Sequence, residues 1–333
     1  MTNPLSGDSL LILFVATALL FDFLNGFHDS ANTVATMIAS RAMSPRKALL
    51  LSAVAHFSGP FLFGVAVATT IGHEVVADYA TTIPVVWAAL LGAIIWNLLT
   101  WLLGIPSSSS HALIGGLIGA TLIGYGTDAI QIAGLEKAGL ALLTSPLLGL
   151  AIGYLLMKII LFLARNASPS INTFFKRIQI ITALMLALSH GTNDAQKTMG
   201  IITMGLLAGG AISTFEVPTW VIAACAASMS LGTALGGWRI IRTLGGKFYK
   251  IRPVHSFTSQ LASAGIIMGA ALIGGPVSTS QVVSTTILGA GAAERVNKVR
   301  WGVMKSILAT WFLTIPASAG MAALCYLLLQ GRI

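Results

Sequence analysis

Long apolar runs alternate along this chain with short polar or basic breaks, and the runs fall into two similar successions. The first run covers about residues 9–40 and carries Asp22, Asn25, His28, Asp29 and Asn32 inside it. A second, about 48–71, ends at Glu74 and Asp78. The run from about 85 to 104 passes through Ile105 and Pro106 into a serine cluster and returns to Tyr125. That return is about 15 residues, short of the roughly 20 that a spanning helix needs. A re-entrant helical hairpin over about 85–125 fits better, and it leaves the 128–137 loop on the same side as Glu74. A long helix over about 138–164 completes the first succession. The order then repeats as a polar-interrupted run (about 178–210), a helix (about 220–238), a hairpin (about 257–292) and a last helix (about 301–329).

An odd number of crossings precedes the second succession, so it starts from the opposite face. The pattern predicts two inverted-topology repeats, 1–165 and 166–333, each with a broken helix and a re-entrant hairpin. The two hairpins should approach each other from opposite sides. Basic residues support this layout, because all their clusters fall on one side: Arg41, Arg46 and Lys47; Arg165, Lys176 and Arg177; Arg239 to Arg252; Arg295 to Lys305. Such loops normally stay cytoplasmic, which places both termini outside and the protein in the cell membrane. The opening MTNPLSGDS has no basic n-region of a signal peptide, so the first helix is expected to be retained.

Composition agrees. Of 333 residues, 56% are hydrophobic and 9% charged, against about a quarter charged in a soluble domain. The runs are too long and uninterrupted for the alternating strands of a membrane barrel, so the class is an all-α polytopic membrane protein. The net charge of +9 lies in inter-helix clusters and is not a nucleic-acid footprint. Cys225 and Cys325 lack metal or redox spacing. No HExxH or GxSxG is present, and Ser110 beside His111 is adjacency, not a nucleophile–base pair. No enzyme and no cofactor are expected.

Two polar motifs occur once in each half. NGFHDSANT (residues 25–33) pairs with HGTNDAQKT (190–198), aspartate to aspartate at 194 − 29 = 165. PSSSSHALIGGLIGA (106–120) pairs with PVSTSQVVSTTILGA (276–290) at 276 − 106 = 170. In the second pair a proline stops one helix and hydroxyls open the next, where they cap free N–H groups. A helix N-terminus with hydroxyls suits a phosphate-like oxyanion. Ser108, Ser109 and Ser110, with Ser278, Thr279 and Ser280, are the candidates, joined by Asn25 and Gln281. Serines at such positions also serve simply as caps and packing residues.

Asp22, Asp29 and Asp194 are the only acids well inside apolar runs. Asp22, Asn25 and Asp29 share a face of a helix. Together with Asn193, Asp194 and Gln196 they offer carboxylate and amide oxygens for a hard cation such as sodium. They could instead relay protons, or Asp194 could be held by an ion pair with Lys197. Glycines beside both aspartates would permit an unwound backbone. His28 and His111 adjoin the motifs, while the roles of His56 and Lys197 stay open.

At these residues the chain resembles the inorganic phosphate transporter (PiT) family, whose members couple phosphate uptake to sodium or protons. GFHDSANTVAT and SHGTNDAQKTMG look like its duplicated signature, and PSSSSHALIGG and GGPVSTSQ like its hairpin tips. The resemblance spans nearly the whole chain. It implies an inverted-repeat fold with phosphate at the hairpin tips, Asp29 and Asp194 as the functional aspartates, and Ser108 and Ser278 as the hairpin serines. Some members have glutamate at the positions of His56 and Gln260, a departure that favours sodium over proton coupling. The expected activity is sodium-coupled phosphate import with sodium as co-substrate. Proton-coupled symport and a passive anion channel are the alternatives. The bilayer, phosphate and sodium or protons are the expected partners, with a homodimer possible. The short 238–255 segment leaves no room for a regulatory domain there.

Overall fold

The computed structural model describes residues 7–330, all of whose regular elements are helical apart from one isolated β-bridge. The terminal residues 1–6 and 331–333, and with them part of the expectation that both termini lie outside, fall beyond that range. Twelve α-helices follow one another among the described residues: α1 Gly7–Ala39, α2 Pro45–Leu62, α3 Ala66–His73, α4 Ile83–Leu103, α5 Ser109–Tyr125 and α6 Ile132–Leu163, then α7 Ile171–Ala208, α8 Thr219–Leu235, α9 Trp238–Gly246, α10 Pro253–Leu272, α11 Thr279–Glu294 and α12 Trp301–Leu329. Five are long and apolar enough to cross a membrane, and seven spans result if α2–α3 and α8–α9 each count as one bent span.

The succession long helix, bent pair, hairpin, long helix occurs twice. The bends are 81° at α2–α3 and 68° at α8–α9. These bends, not the aspartate motifs, are where the helices break. α1 runs unbroken through Gly26 and Asp29, and α7 through Gly191 and Asp194, contrary to the unwinding that their glycines suggested. The physical reason is close packing. A Cβ on Gly26 would collide with the Met229 carbonyl of α8, and one on Gly191 would come within 2.6 Å of the His56 carbonyl of α2. Small residues there let each long helix lie against the bent pair of the other half, α1 on α8 and α7 on α2.

The helix pairs α4–α5 and α10–α11 each form a hairpin whose outer ends lie side by side. In the first, the Tyr125 hydroxyl donates to Thr82 Oγ1 (3.5 Å), so the end of α5 lies beside the start of α4. Nearby, Lys137 pairs with Glu74 at 2.9 Å, and Val76 bridges Ile130. In the second, Glu294 at the end of α11 pairs with Arg252 (2.8 Å) and His255 (2.9 Å) at the start of α10. The turns at the far ends are built alike. Gly104 and Gly274, 170 apart, both have positive φ (66° and 72°), the left-handed conformation that glycine adopts without strain. Pro106 and Pro276 follow, and Ser108 and Ser278 cap the returning helices by accepting from the amides of His111 and Gln281.

The two halves differ in how their hairpins are packed. α12 seals the first hairpin. Trp96 of α4 donates to Thr314 of α12 at 3.1 Å, and a Cβ on Gly92 would come within 2.8 Å of Ala322. Adding 170 to the α4 positions and subtracting it from the α12 positions gives Ile266 and Thr144, and Ala262 and Ile152. All four line an open cleft of about 530 Å³ between α6 and α10. Gly265 and Gly269 face this cleft with nothing near enough to meet a Cβ.

Candidate functional site

The four motifs converge where the hairpin tips meet the middles of α1 and α7. Ser110 Oγ of the first tip donates to the Val277 carbonyl of the second at 3.2 Å. Around this junction Asp22, Asp29, Asp194, Lys197, His28, His56 and His190 are all buried. Ionised groups in such a setting cost about 2.5–3.5 kcal/mol each at a helix centre, so partners decide which of them are tolerated.

Asp29 has three contacts. Ser280 Oγ donates to its Oδ1 at 3.0 Å, Ser109 Oγ to its Oδ2 at 3.4 Å, and His28 Nδ1 lies 3.0 Å from Oδ1. Hydrogen bonds to a charged group contribute about 1.5–3 kcal/mol each, enough together to hold this carboxylate. Asp194 is matched similarly. Thr279 Oγ1 donates to Oδ2 at 2.8 Å, Lys197 Nζ pairs with Oδ1, and His190 Nε2 lies 3.1 Å from Oδ2. Asp22 is the least compensated: Thr198 donates to Oδ1 at 2.9 Å, and Oδ2 has no partner among the described residues.

Two half-sites result. Asp29 takes a hydroxyl from its own half's hairpin (Ser109) and one from the other's (Ser280), with Asn32 donating to Ser280 at 3.1 Å. Asp194 takes Thr279 from its own half's hairpin. Lys197 links it to Ser110 of the other hairpin at 2.6 Å. Ser109 and Thr279 are 170 apart, as are Ser110 and Ser280, and Asn32 and Lys197 are 165 apart. The offsets of the sequence motifs thus reappear as matched contacts.

Other expected residues lie close by in different roles. Asn25 has neither amide atom partnered, and the Asn193 side-chain oxygen is also unpartnered while its amide donates to the Gly275 carbonyl at 3.2 Å. These oxygens and Asp22 Oδ2 are buried and uncommitted among the described residues, and such oxygens are the type that hard cations take as ligands. Gln196 instead spends its amide on the start of α3, accepting from Val67 N at 2.8 Å and donating to the Gly64 carbonyl at 2.7 Å. It caps the bent pair. Gln281, whose Oε1 is unpartnered among the described residues, lines a cleft between α6, α11 and α12, as does His111. Ser108 and Ser278 act through their caps, without touching either aspartate.

His190 was not singled out from sequence, and His56 and Asn32 were named there without a role. His190 offers a nitrogen beside Asp29 and Asp194, and one ligand atom from each of these three lies within 4.8 Å of the others. His56 stacks on His190 with centroids 4.8 Å apart and donates or accepts at Thr233. Asn32 supports Ser280. The signal was available in the histidine–aspartate spacings of one and four residues, and in the 165-residue offset of Asn32 from Lys197. Lys197, whose role sequence left open, uses Asp194, Ser110 and the Val277 carbonyl (3.0 Å) as partners.

Comparison with known proteins gives the family and the fold. The pattern of the "Phosphate transporter family" matches residues 25–322. A "Probable low-affinity inorganic phosphate transporter" of Bacillus subtilis (strain 168) is 47% identical over 96% of this chain and 97% of its own length. One of the same description from Rhizobium meliloti (strain 1021) is 44% identical over 95% and 96%. A solved "sodium-dependent phosphate transporter" has the same fold, with a TM-score of 0.89 over 97% of this chain and 100% of that one, at 24% identity. The chain belongs to the phosphate transporter family.

Proposed function

We propose that this protein imports inorganic phosphate across the cell membrane by sodium-coupled symport, alternating access around the junction of the hairpin tips. One observation carries the reading. The hydroxyls suited to an oxyanion, on Ser109, Ser280 and Thr279, are engaged by the carboxylates suited to a cation, Asp29 and Asp194. Phosphate can recruit these hydroxyls only as the carboxylates find another partner. A cation at Asp29 and Asp22 supplies one, and it also removes the repulsion between carboxylate and phosphate in a low-dielectric site. Binding of the two is therefore mutually dependent, which is the thermodynamic content of coupling. Family membership and the names of the relatives support phosphate as substrate.

The fold supports alternating access. Hairpins that meet tip to tip, with basic residues clustered in a few inter-helix loops, fit two inverted repeats with cytoplasmic basic loops and external termini. The α6–α10 cleft, opposite the sealed α4–α12 contact, fits one of two exchangeable states. Closing α10 onto α6 while parting α4 from α12 would interchange the halves.

Protons are the second reading, and a specific feature favours it: His28 and His190 each lie within hydrogen-bond distance of a coupling carboxylate. A passive channel would have no use for three buried carboxylates. Phosphate uptake into proteoliposomes, with sodium and pH gradients imposed separately, distinguishes the three. Accumulation driven by sodium alone supports the proposal, by pH alone the second reading, and by neither a channel.

A further inference from the structure

The two half-sites are built from matched positions of the duplicated motifs, and at one of these positions the residues differ in charge. Where Asp29 has Asn32 three residues on, Asp194 has Lys197. Asn32 reaches Ser280, which in turn donates to Asp29. Lys197 reaches the equivalent Ser110 and also the aspartate itself. Its ammonium is buried (2% exposed) and its three donors are spent on one carboxylate, one hydroxyl and one carbonyl drawn from α7, the first hairpin and the second. That is a set of oxygen ligands around a single positive charge, as a bound monovalent cation would have.

We propose that Lys197 is a tethered cation: it permanently fills the half-site at Asp194 and leaves the half-site at Asp29 for the mobile coupling cation. This rests on the cation-coupled reading above and makes it asymmetric. Asp29 carries histidine and hydroxyl contacts but no fixed positive side chain of the Lys197 kind, so its charge balance must come from solution. Asp194 has its balance built in. A chain with asparagine at both positions would hold one more mobile cation per cycle, and a chain with lysine at both would hold one fewer. Lys197 thereby sets the number of cations carried with each phosphate, a specificity-determining role beyond holding the fold.

The test uses the full chain in proteoliposomes clamped at zero membrane potential. The steady phosphate gradient is read against the size of whichever gradient, sodium or pH, drives the wild type. For n coupled cations that gradient rises as the nth power of the cation gradient, so Lys197→Asn should hold about tenfold more phosphate than wild type under a tenfold cation gradient. Asn32→Lys should hold about tenfold less. Counting 22Na+ bound to the purified protein in the presence of inorganic phosphate gives a second readout that needs no transport. One more ion in Lys197→Asn and one fewer in Asn32→Lys are expected. Unchanged slopes and unchanged ion counts in the variants that fold overturn the proposal. If Lys197→Asn does not fold, Asn32→Lys decides alone. A wild type driven by neither gradient refutes the symport reading, and the ion counts then judge the tethered cation separately.

Discussion

The Ser280 hydroxyl donates to the Asp29 carboxylate at 3.0 Å, although 251 residues separate the two in sequence. The contact joins the tip of the second hairpin to the middle of the first helix. It makes a group suited to phosphate compete directly with a group suited to a cation. On the proposed reading, neither ligand binds without changing the site of the other.

Asp29→Asn keeps an acceptor for Ser280 but removes the charge. Cation dependence should fall along with phosphate affinity, and gradient-driven accumulation should be lost in a protein that still folds. Asp194→Asn should also leave Lys197 as a buried charge without its carboxylate, a defect of roughly 3–5 kcal/mol, so a lower melting temperature should accompany lost uptake. Sodium-driven and proton-driven uptake unchanged in both variants would contradict the assignment of these residues.

Removing the hydroxyls probes the anion side. Ser280→Ala and Thr279→Val each delete a donor to a charged partner worth about 1.5–3 kcal/mol. Phosphate affinity in uptake assays should weaken about 10- to 100-fold. Ser108→Ala and Ser278→Ala act through the helix caps instead and should cost about 1 kcal/mol of stability, visible as a melting shift of a few degrees.

The cleft between α6 and α10 offers a test of alternating access away from the site. Gly265 and Gly269 line it with no atom close enough to oppose a side chain. Gly269→Leu should therefore fold with little change in melting temperature, yet cut phosphate uptake at least tenfold by obstructing closure of α10 on α6. Wild-type uptake rates in that variant would show that the cleft does not close during transport.

At the base of the second hairpin, Glu294 gathers Arg252, His255 and Lys298. Arg252 and Lys298 are about half exposed, so their individual pairs are worth little. His255 is buried, and its bond to Glu294 ties α10 to α11. Glu294→Gln should lower the melting temperature by a few degrees and leave phosphate affinity within about twofold, measured in the same uptake assay.

The apolar runs made the helical class and the repeated succession legible, because lipid imposes length and composition on every span. Pro106 and Pro276 followed by Ser108 and Ser278 made both hairpin turns legible, since that combination stops one helix and caps the next. The continuity of α1 and α7 was hidden. Glycine beside an aspartate reads alike whether it unwinds a backbone or admits a neighbouring one, and only Met229 against Gly26 and His56 against Gly191 decide between them. Gln196 was hidden for a related reason: its amide is a plausible ligand until the broken start of α3 claims it. Contacts such as Asn32 with Ser280 cross the two halves and follow from the fold alone.

The central claim is that cation and phosphate depend on each other through the shared hydroxyls. It is tested most directly by measuring inorganic phosphate affinity of the purified wild-type protein over a range of sodium concentrations at fixed pH. The account predicts that affinity rises steadily with sodium and that Asp29→Asn flattens the dependence. Phosphate affinity that is the same with and without sodium, and at every pH examined, would contradict it.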